Sequence, residues 1–442
     1  MTWMILLPAL VAVWWISTRS APRAVTDIYI PMLLLFPLYY EWKLTGLPPL
    51  NATEAIVIVL LYFMLLRHRY EFYFSRTDIW VLLFVYGGMI SEVLRRGVKP
   101  GLFELAGDIY SALLPYMVGK ILIEQHGMRV KLLKRMAFLL FLVCVISIYE
   151  YRMSINPYHE YLDRYFPYMG THWFLQMRWG RARVSGPFAH AILAAMMFFA
   201  GAMFNFYLLR TNSWERKFRW LKLGAVRKGW VIMTGLFLGL YMTQSRGPWV
   251  ATPVGFVVTA IGLARNPRRA FLRFAFVAIV IGVVAYPFIQ DYTAGTTLQA
   301  TDQDQQNAVY RRQLIDNYTP VVEAGGFWGW GLIFPVVGNQ VSIDNEYLLI
   351  ALQRGYFGLL VFVLLAGETL VKLVRQGISP GRREDRILAF CMVGTLAGIL
   401  FSVTTVFLGM QVYTLFFFLV GWSQAIGRQK PEQFPMFEEV YV

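Results

Sequence analysis

Residues 271–289 read FLRFAFVAIVIGVVAYPFI, an apolar run whose one charge, Arg273, stands near its start. An apolar helix of about 20 residues matches the hydrocarbon thickness of a bilayer. Within that layer a helix satisfies all its peptide groups internally, so this stretch reads as a membrane-crossing helix. On either side of it, runs of the same character fall at 3–17, 27–43, 52–66, 78–94, 104–122, 135–150, 187–209, 229–245, 247–264, 346–371, 387–406 and 409–426. The first and third of these are short enough for one of them to be re-entrant or interfacial.

Composition agrees. Of 442 residues, 57% are hydrophobic and 15% charged. The apolar pool, roughly 250 residues, suffices for on the order of a dozen spans, whereas a soluble domain carries about a quarter charged residues. A soluble globular protein, a disordered chain and a fibrous repeat are excluded. The expected fold is all-α, a polytopic membrane protein of about 12–13 transmembrane helices with a large structured periplasmic loop. Cys144 and Cys391 both lie in apolar runs, so neither a disulfide framework nor a cysteine zinc site is expected. The N-terminus lacks a basic leader and a small-residue cleavage site and reads as a first span.

The net charge of +15 reflects orientation rather than nucleic-acid binding. Lys and Arg concentrate in alternate loops: 19–23, 67–76, 120–135, 210–228, 265–273, 372–386 and 428–430. The positive-inside rule makes this set cytoplasmic, together with the C-terminus. The expected organisation is an N-terminal transmembrane bundle (1–150), an aromatic periplasmic loop (151–186) and central transmembrane helices (187–289). A large periplasmic active-site loop (290–345) and C-terminal helices with a cytoplasmic tail (346–442) complete it. Loops of such length carry function or are disordered, and the aromatics of 151–186, including Trp173 and Trp179, argue for order.

Four features of the outer face carry chemistry. Arg178, Arg181 and Arg183 precede Ser185-Gly-Pro187, a helix start; guanidiniums beside a helix N-terminus suit a diphosphate, with lipid-headgroup binding the plainer alternative. Arg183 stands nearest that start. Arg246, in Thr243-Gln-Ser-Arg-Gly-Pro248, occupies a tight hairpin on the side where positive charge is disfavoured, so a functional role competes with snorkelling to headgroups. In the second loop, Tyr310–Tyr318 reads as a short amphipathic helix carrying Arg311 and Arg312. The run Gly325-Gly-Phe-Trp-Gly-Trp-Gly331 offers close backbone approach and, through Trp328 and Trp330, flat faces for sugars, or else an interfacial anchor. Finally Asp344, Asn345 and Glu346 open a span. Asp344 either caps that helix or serves as a general base, with Glu346 in reserve. His159, His172 and His190 have no partner at a readable spacing, and no metal, phosphate-loop or dinucleotide motif is present.

The order of these pieces resembles the bacterial O-antigen ligase and polymerase superfamily of polytopic membrane glycosyltransferases. The likeness covers roughly 180–360. It rests on Arg183-Val-Ser-Gly-Pro-Phe188, Ser245-Arg-Gly247, a long loop with Arg311/Arg312, Gly329-Trp-Gly331, and Asp344-Asn-Glu-Tyr347 followed by Gly355-Tyr-Phe-Gly358. The resemblance implies glycan transfer from an undecaprenyl-diphosphate-linked donor to a glycan acceptor on the periplasmic side, without cofactor or metal. It implies diphosphate binding by Arg246 and by Arg311 or Arg312; with Arg183, Trp328, Trp330 and Asn345 these make up the expected substrate-binding residues. Ligase members carry a histidine before the motif's Asn; Asp344 stands here instead, which favours a polymerase of O-antigen or exopolysaccharide repeats over a ligase acting on lipid A–core. Membrane lipids and a chain-length regulator complete the expected partners, and nucleic acid is not among them. A lipid or solute transporter is the alternative from another class, against which stand the absence of an internal repeat and the few charges within spans, Arg354 and Glu368.

Overall fold

The computed structural model describes residues 2–43, 46–66, 70–166, 175–215, 227–295, 299–338, 340 and 342–428. His172, Trp173 and parts of the basic loops at 67–69, 216–226 and 429–430 fall outside these residues. The chain is an all-α polytopic membrane protein. In chain order its helices are α1 (Leu7–Thr18), α2 (Ala21–Ala24), α3 (Ile30–Leu35), α4 (Ala52–Leu66), α5 (Arg76–Arg96), α6 (Val98–Asp108), α7 (Leu114–Leu122), α8 (Arg129–Met153) and α9 (Pro157–Leu162). There follow α10 (Ala191–Arg210), α11 (Lys228–Met242), α12 (Arg246–Leu263), α13 (Pro267–Tyr292), α14 (Gln303–Gly325), α15 (Glu346–Ile378), α16 (Arg383–Ser402) and α17 (Met410–Ala425). Among the described residues, strand is confined to two short hairpins, Glu41–Trp42 with Leu50–Asn51 and Met177–Arg178 with Arg181–Ala182.

Six of these helices, α5, α8, α10, α13, α15 and α16, are long and apolar enough to cross a membrane; Trp3–Thr18, α4 and α11 are shorter apolar helices. Each expected span coincides with helix, most to within four residues at either end, and one is cut shorter. The run 27–43 is helical only to Leu35, because Pro37 pushes the residue before it out of the α region, and Phe36 is extended at φ −110°, ψ 129°. The expected short helix at 310–318 is the middle of the longer α14, which Asp302 starts by accepting from the backbone N–H of Asp304 (2.8 Å) and Gln305 (2.6 Å).

Helices approach closely where small residues meet, as membrane packing requires. A Cβ on Gly421 of α17 would lie 1.9 Å from the Tyr116 carbonyl oxygen of α7. Two charged side chains inside the bundle are held by partners on other helices. Arg354 of α15 holds Asp108 at 2.9 Å and Glu104 at 3.0 Å on α6, and Glu368 accepts from Trp80 Nε1 at 2.6 Å. The two charges that a transporter reading would use are thus committed to helix–helix contacts. Loops of the basic set meet at one end: Asp27 pairs with Lys131 and Arg135, and Arg129 pairs with Asp385. Described residues of the 151–186 and 290–345 segments, among them Arg178, Arg183, Asp304, Arg311 and Asp344, lie with the hairpin at Arg246 at the other end.

The glycine-rich run explains a break in a membrane helix. At Gly355 (φ 65°, ψ −167°) α15 is interrupted, which leaves backbone groups without intrahelical partners. The 326–331 turn supplies them: Trp330 N–H donates to Leu352 O (2.8 Å) and Gly331 N–H to Gln353 O (2.9 Å). In return, Tyr356 N–H donates to Gly326 O (3.3 Å) and Phe357 N–H to Phe327 O (3.1 Å). Irregular backbone at membrane depth is tolerated where protein satisfies it. From α5, Arg95 clamps the turn by donating to the carbonyls of Gly329 (2.8 Å) and Gly325 (3.2 Å), and the Glu92 carboxylate accepts from Leu332 N–H.

Candidate active site

At the end away from the basic loops, a cleft of about 580 Å³ is lined by Gln176, Arg178, Arg183, His190, Arg246, Tyr292, Asp304, Asn307, Arg311, Asp344 and Thr405, among others. Residues far apart in sequence converge here, and each is placed by local chemistry. The hairpin bearing Arg178 turns through Trp179 (φ 50°) and Gly180 (φ 69°), the paired positive φ values of a tight two-residue β-turn. Arg178 donates to Gln244 O at 2.8 Å. Arg183 reaches across to the next hairpin, donating to Ser245 Oγ (3.0 Å) and Thr243 O (3.3 Å), and it also donates to Gln176.

The turn behind Arg183 is held by a group that sequence reasoning missed. Glu150, fully buried at the end of α8, accepts from the backbone N–H of Ser185 and Gly186, both at 2.9 Å, and from Ser185 Oγ and Asn156 Nδ2. A carboxylate so bonded acts as a rigid anchor for the strand–turn–helix that presents Arg183.

Arg246 opens α12 and pairs with Asp304 of α14. Asp304, Asn307, Ala308 and Arg311 all line the cleft, the i, i+3, i+4, i+7 face of one helix. Arg312 lies off that face, exposed, 3.9 Å from Asp316. Asp344 accepts from Ser342 Oγ at 2.7 Å. It is not the cap of α15: Asn345 is, accepting from Leu348 N–H at 3.1 Å. Glu346 is buried and accepts from Leu408 N–H at 2.7 Å, a bond that ties α15 to the segment before α17. Trp330 donates to Val321 O (2.8 Å) and lies under the Arg95 guanidinium (4.6 Å), while Trp328 packs on Phe357 with ring centroids 4.9 Å apart. The structure thus brings Arg183, Arg246, Arg311 and Asp344 together. It sets Arg312, Asn345, Glu346, Trp328 and Trp330 outside the cleft lining, because each is engaged in the packing or capping just described. Arg181 is exposed, its guanidinium 5.9 Å from the Tyr151 ring.

Electrostatically the cleft is made for an anion. Its four guanidiniums face two carboxylates, Asp304 and Asp344, leaving a surplus of two positive charges. Burial, with repulsion from Arg178 and Arg311, holds Arg183 below the ordinary guanidinium range. Burial likewise lowers Arg311, opposed by attraction to Asp344 and reinforced by repulsion from Arg178. Arg178 is lowered by burial and by Arg246, with Asp304 opposing. Like charges crowded this way are relieved by a polyanion. The first turns of α10, α12 and α14 also line the cleft, adding the positive ends of three helix dipoles.

His190, also missed from sequence, caps α10 by accepting from Ile192 N–H at its Nδ1 (3.1 Å). That bond assigns the ring proton to Nε2, and burial together with Arg183 lowers its pKa to about 4. A neutral imidazole in this tautomer is a donor at Nε2, not a base. Asp344 is therefore the cleft carboxylate that neither caps a helix nor pairs with a cation at ion-pair distance.

Residues 231–363 match the model of a family described as O-antigen ligase, in line with the resemblance read from the motifs. The matched stretch includes Arg246, Asp304, Arg311 and Asp344 and the whole splice at Gly355. Arg178, Arg183 and His190 lie before it. No curated protein matches the chain.

Proposed function

We propose that this O-antigen-ligase-like membrane protein polymerises undecaprenyl-diphosphate-linked oligosaccharide repeats, of O-antigen or exopolysaccharide, by metal-independent inverting transfer at the periplasmic face of the bacterial inner membrane. The observation that supports this most is the convergence of Arg178, Arg183, Arg246 and Arg311 with Asp344 in one cleft. The charge surplus equals that of a diphosphate diester, which carries one negative charge on each phosphorus.

In the proposed reaction the acceptor hydroxyl attacks the anomeric carbon of the donor. The new C–O bond forms as the bond to the diphosphate oxygen breaks, and the hydroxyl proton passes to Asp344. Charge developing on the leaving diphosphate is taken up by fixed guanidiniums and by the Nε2–H of His190, donors that need no reorganisation. Direct displacement inverts the anomeric centre and requires no second carboxylate as nucleophile.

Two features divide polymerase from ligase. The description of the matching family favours transfer of finished glycan to another acceptor such as lipid A–core. Asp344 in place of the histidine of ligase members favours polymerisation. The purified protein, incubated with a defined lipid-diphosphate oligosaccharide alone, should yield a ladder of repeats; no elongation without an added lipid A–core acceptor would make it a ligase.

A further inference from the structure

We propose that Asp304 is a displaceable counter-ion that limits how tightly the cleft holds a diphosphate. The inference rests on the function proposed above and adds a role for a residue outside the expected site. Asp304 pairs with Arg246, the guanidinium at the tip of the α11–α12 hairpin, and the side chains are 26% and 47% exposed respectively. Both can therefore move into solvent without a desolvation cost. Among the described residues Arg246 has no other hydrogen-bond or ion-pair partner, its further contact being the Trp179 ring at 5.4 Å. Asp304 is not needed to start α14, because Asp302 provides the cap. By contrast Arg183 is fixed to Ser245, Thr243 and Gln176. The cleft thus has cations anchored by several hydrogen bonds at one wall and a self-neutralised, partly exposed pair at the other.

A diphosphate that engages Arg246 must displace Asp304 from it. After transfer the leaving polyprenyl diphosphate has lost its sugar ester and can carry more negative charge than the donor did. Without Asp304, four guanidiniums facing Asp344 alone would hold that product more firmly than the substrate. A carboxylate ready to retake Arg246 weakens the product complex, and product release limits many enzymes. Asp304 acts through Arg246 and is a positioning residue.

The test uses the full-length protein in neutral detergent and farnesyl diphosphate as a short polyprenyl diphosphate probe, with binding followed by calorimetry. Asp304→Asn should tighten binding about two- to fivefold, the range of a half-exposed ion pair. Asp304→Glu should restore the wild-type constant, and Arg183→Gln should weaken binding roughly tenfold or more, as expected for a lost charge-assisted bond. A gain in affinity cannot arise from misfolding. If Arg183→Gln weakens binding while Asp304→Asn leaves it unchanged or weaker, the counter-ion role is wrong and the diphosphate cleft stands. If the wild type does not bind the probe, or Arg183→Gln leaves binding intact, the cleft reading fails and the role of Asp304 goes with it.

Discussion

Replacing Gly355 by alanine tests whether the glycine-rich run is a backbone splice rather than a sugar platform. At φ 65°, ψ −167° the residue occupies a region essentially restricted to glycine, where a side chain costs about 1–3 kcal/mol. Its Cβ would lie 2.2 Å from Phe327 O and 2.4 Å from Gly329 N, both backbone atoms with no rotamer to yield. The turn must then move away from α15, and the four backbone hydrogen bonds at 2.8, 2.9, 3.1 and 3.3 Å are stretched or lost. Each is worth about 0.5–1.5 kcal/mol net, so the combined loss exceeds roughly 3 kcal/mol. The control is Gly367→Ala in the same helix, where a Cβ meets nothing within 4 Å; there alanine should stabilise by up to about 1 kcal/mol. Thermal melting in detergent by tryptophan fluorescence should show Gly355→Ala well below wild type and Gly367→Ala at or above it. Equal melting of the two variants would refute the splice.

Other outcomes follow from the cleft. Asp344→Asn should cut polymer synthesis by about 10²–10⁴-fold, the usual worth of a general base, while farnesyl diphosphate still binds; synthesis near wild-type rate would remove Asp344 from the chemistry. Glu150→Gln turns an amide NH₂ toward the donors of Ser185 or Gly186, leaving a buried donor unsatisfied at about 1–3 kcal/mol. It should lower the melting temperature and also weaken diphosphate binding, since the Arg183 turn loses its anchor; a change in melting alone would limit Glu150 to stability. The pKa of His190 is lowered to about 4 by burial and Arg183, and a bound diphosphate offsets the Arg183 charge and raises it. Binding is then coupled to proton uptake, so the ratio of wild-type to His190→Gln affinity should grow as pH falls toward that value. A pH-independent ratio would show that the ring does not sense the ligand.

Much of this was legible in the sequence because the bilayer leaves the chain few choices. A run such as 271–289 has to be helix if it is to satisfy its peptide groups in lipid, and α13 spans it with residues to spare. The largest helical truncation, at Phe36, also has a sequence signal in Pro37. The Gly325–Gly331 run was harder. Glycine density announces that something approaches the backbone, but not what, and here it is the broken turn of α15 more than two dozen residues later. Trp328 and Trp330 then pack between protein segments, which no local pattern distinguishes from a sugar-facing surface. In the cleft, the cations stood out because positive charge is disfavoured in the loops opposite the basic set. The shared face of α14 was visible in principle, since Asp304, Asn307 and Arg311 recur at helical spacing. Glu150 gave no signal because its partners Ser185 and Gly186 come from another segment, and His190 gave none because the cleft it lines is assembled from several.

The triplet Asp344-Asn-Glu divides three tasks that a sequence motif presents as one. A helix that begins beside a cleft needs a cap, and Asn345 meets that need with a neutral side chain. It needs its first turn attached to the bundle, and the Glu346 carboxylate does this through Leu408 N–H, buried from solvent. With both requirements met by its neighbours, Asp344 makes a single hydrogen bond among the described residues, from Ser342 Oγ. Its remaining lone pairs border a cleft whose other carboxylate, Asp304, is paired with Arg246. A group that folding does not require, in a place where an unpaired acceptor faces converging cations, is where proton transfer can be carried out without competing against stability. Swapping the roles is therefore informative: moving the carboxylate one residue, with Asp344→Asn combined with Asn345→Asp, preserves charge and capping chemistry, yet should abolish synthesis because the cap's oxygen is already committed to Leu348 N–H.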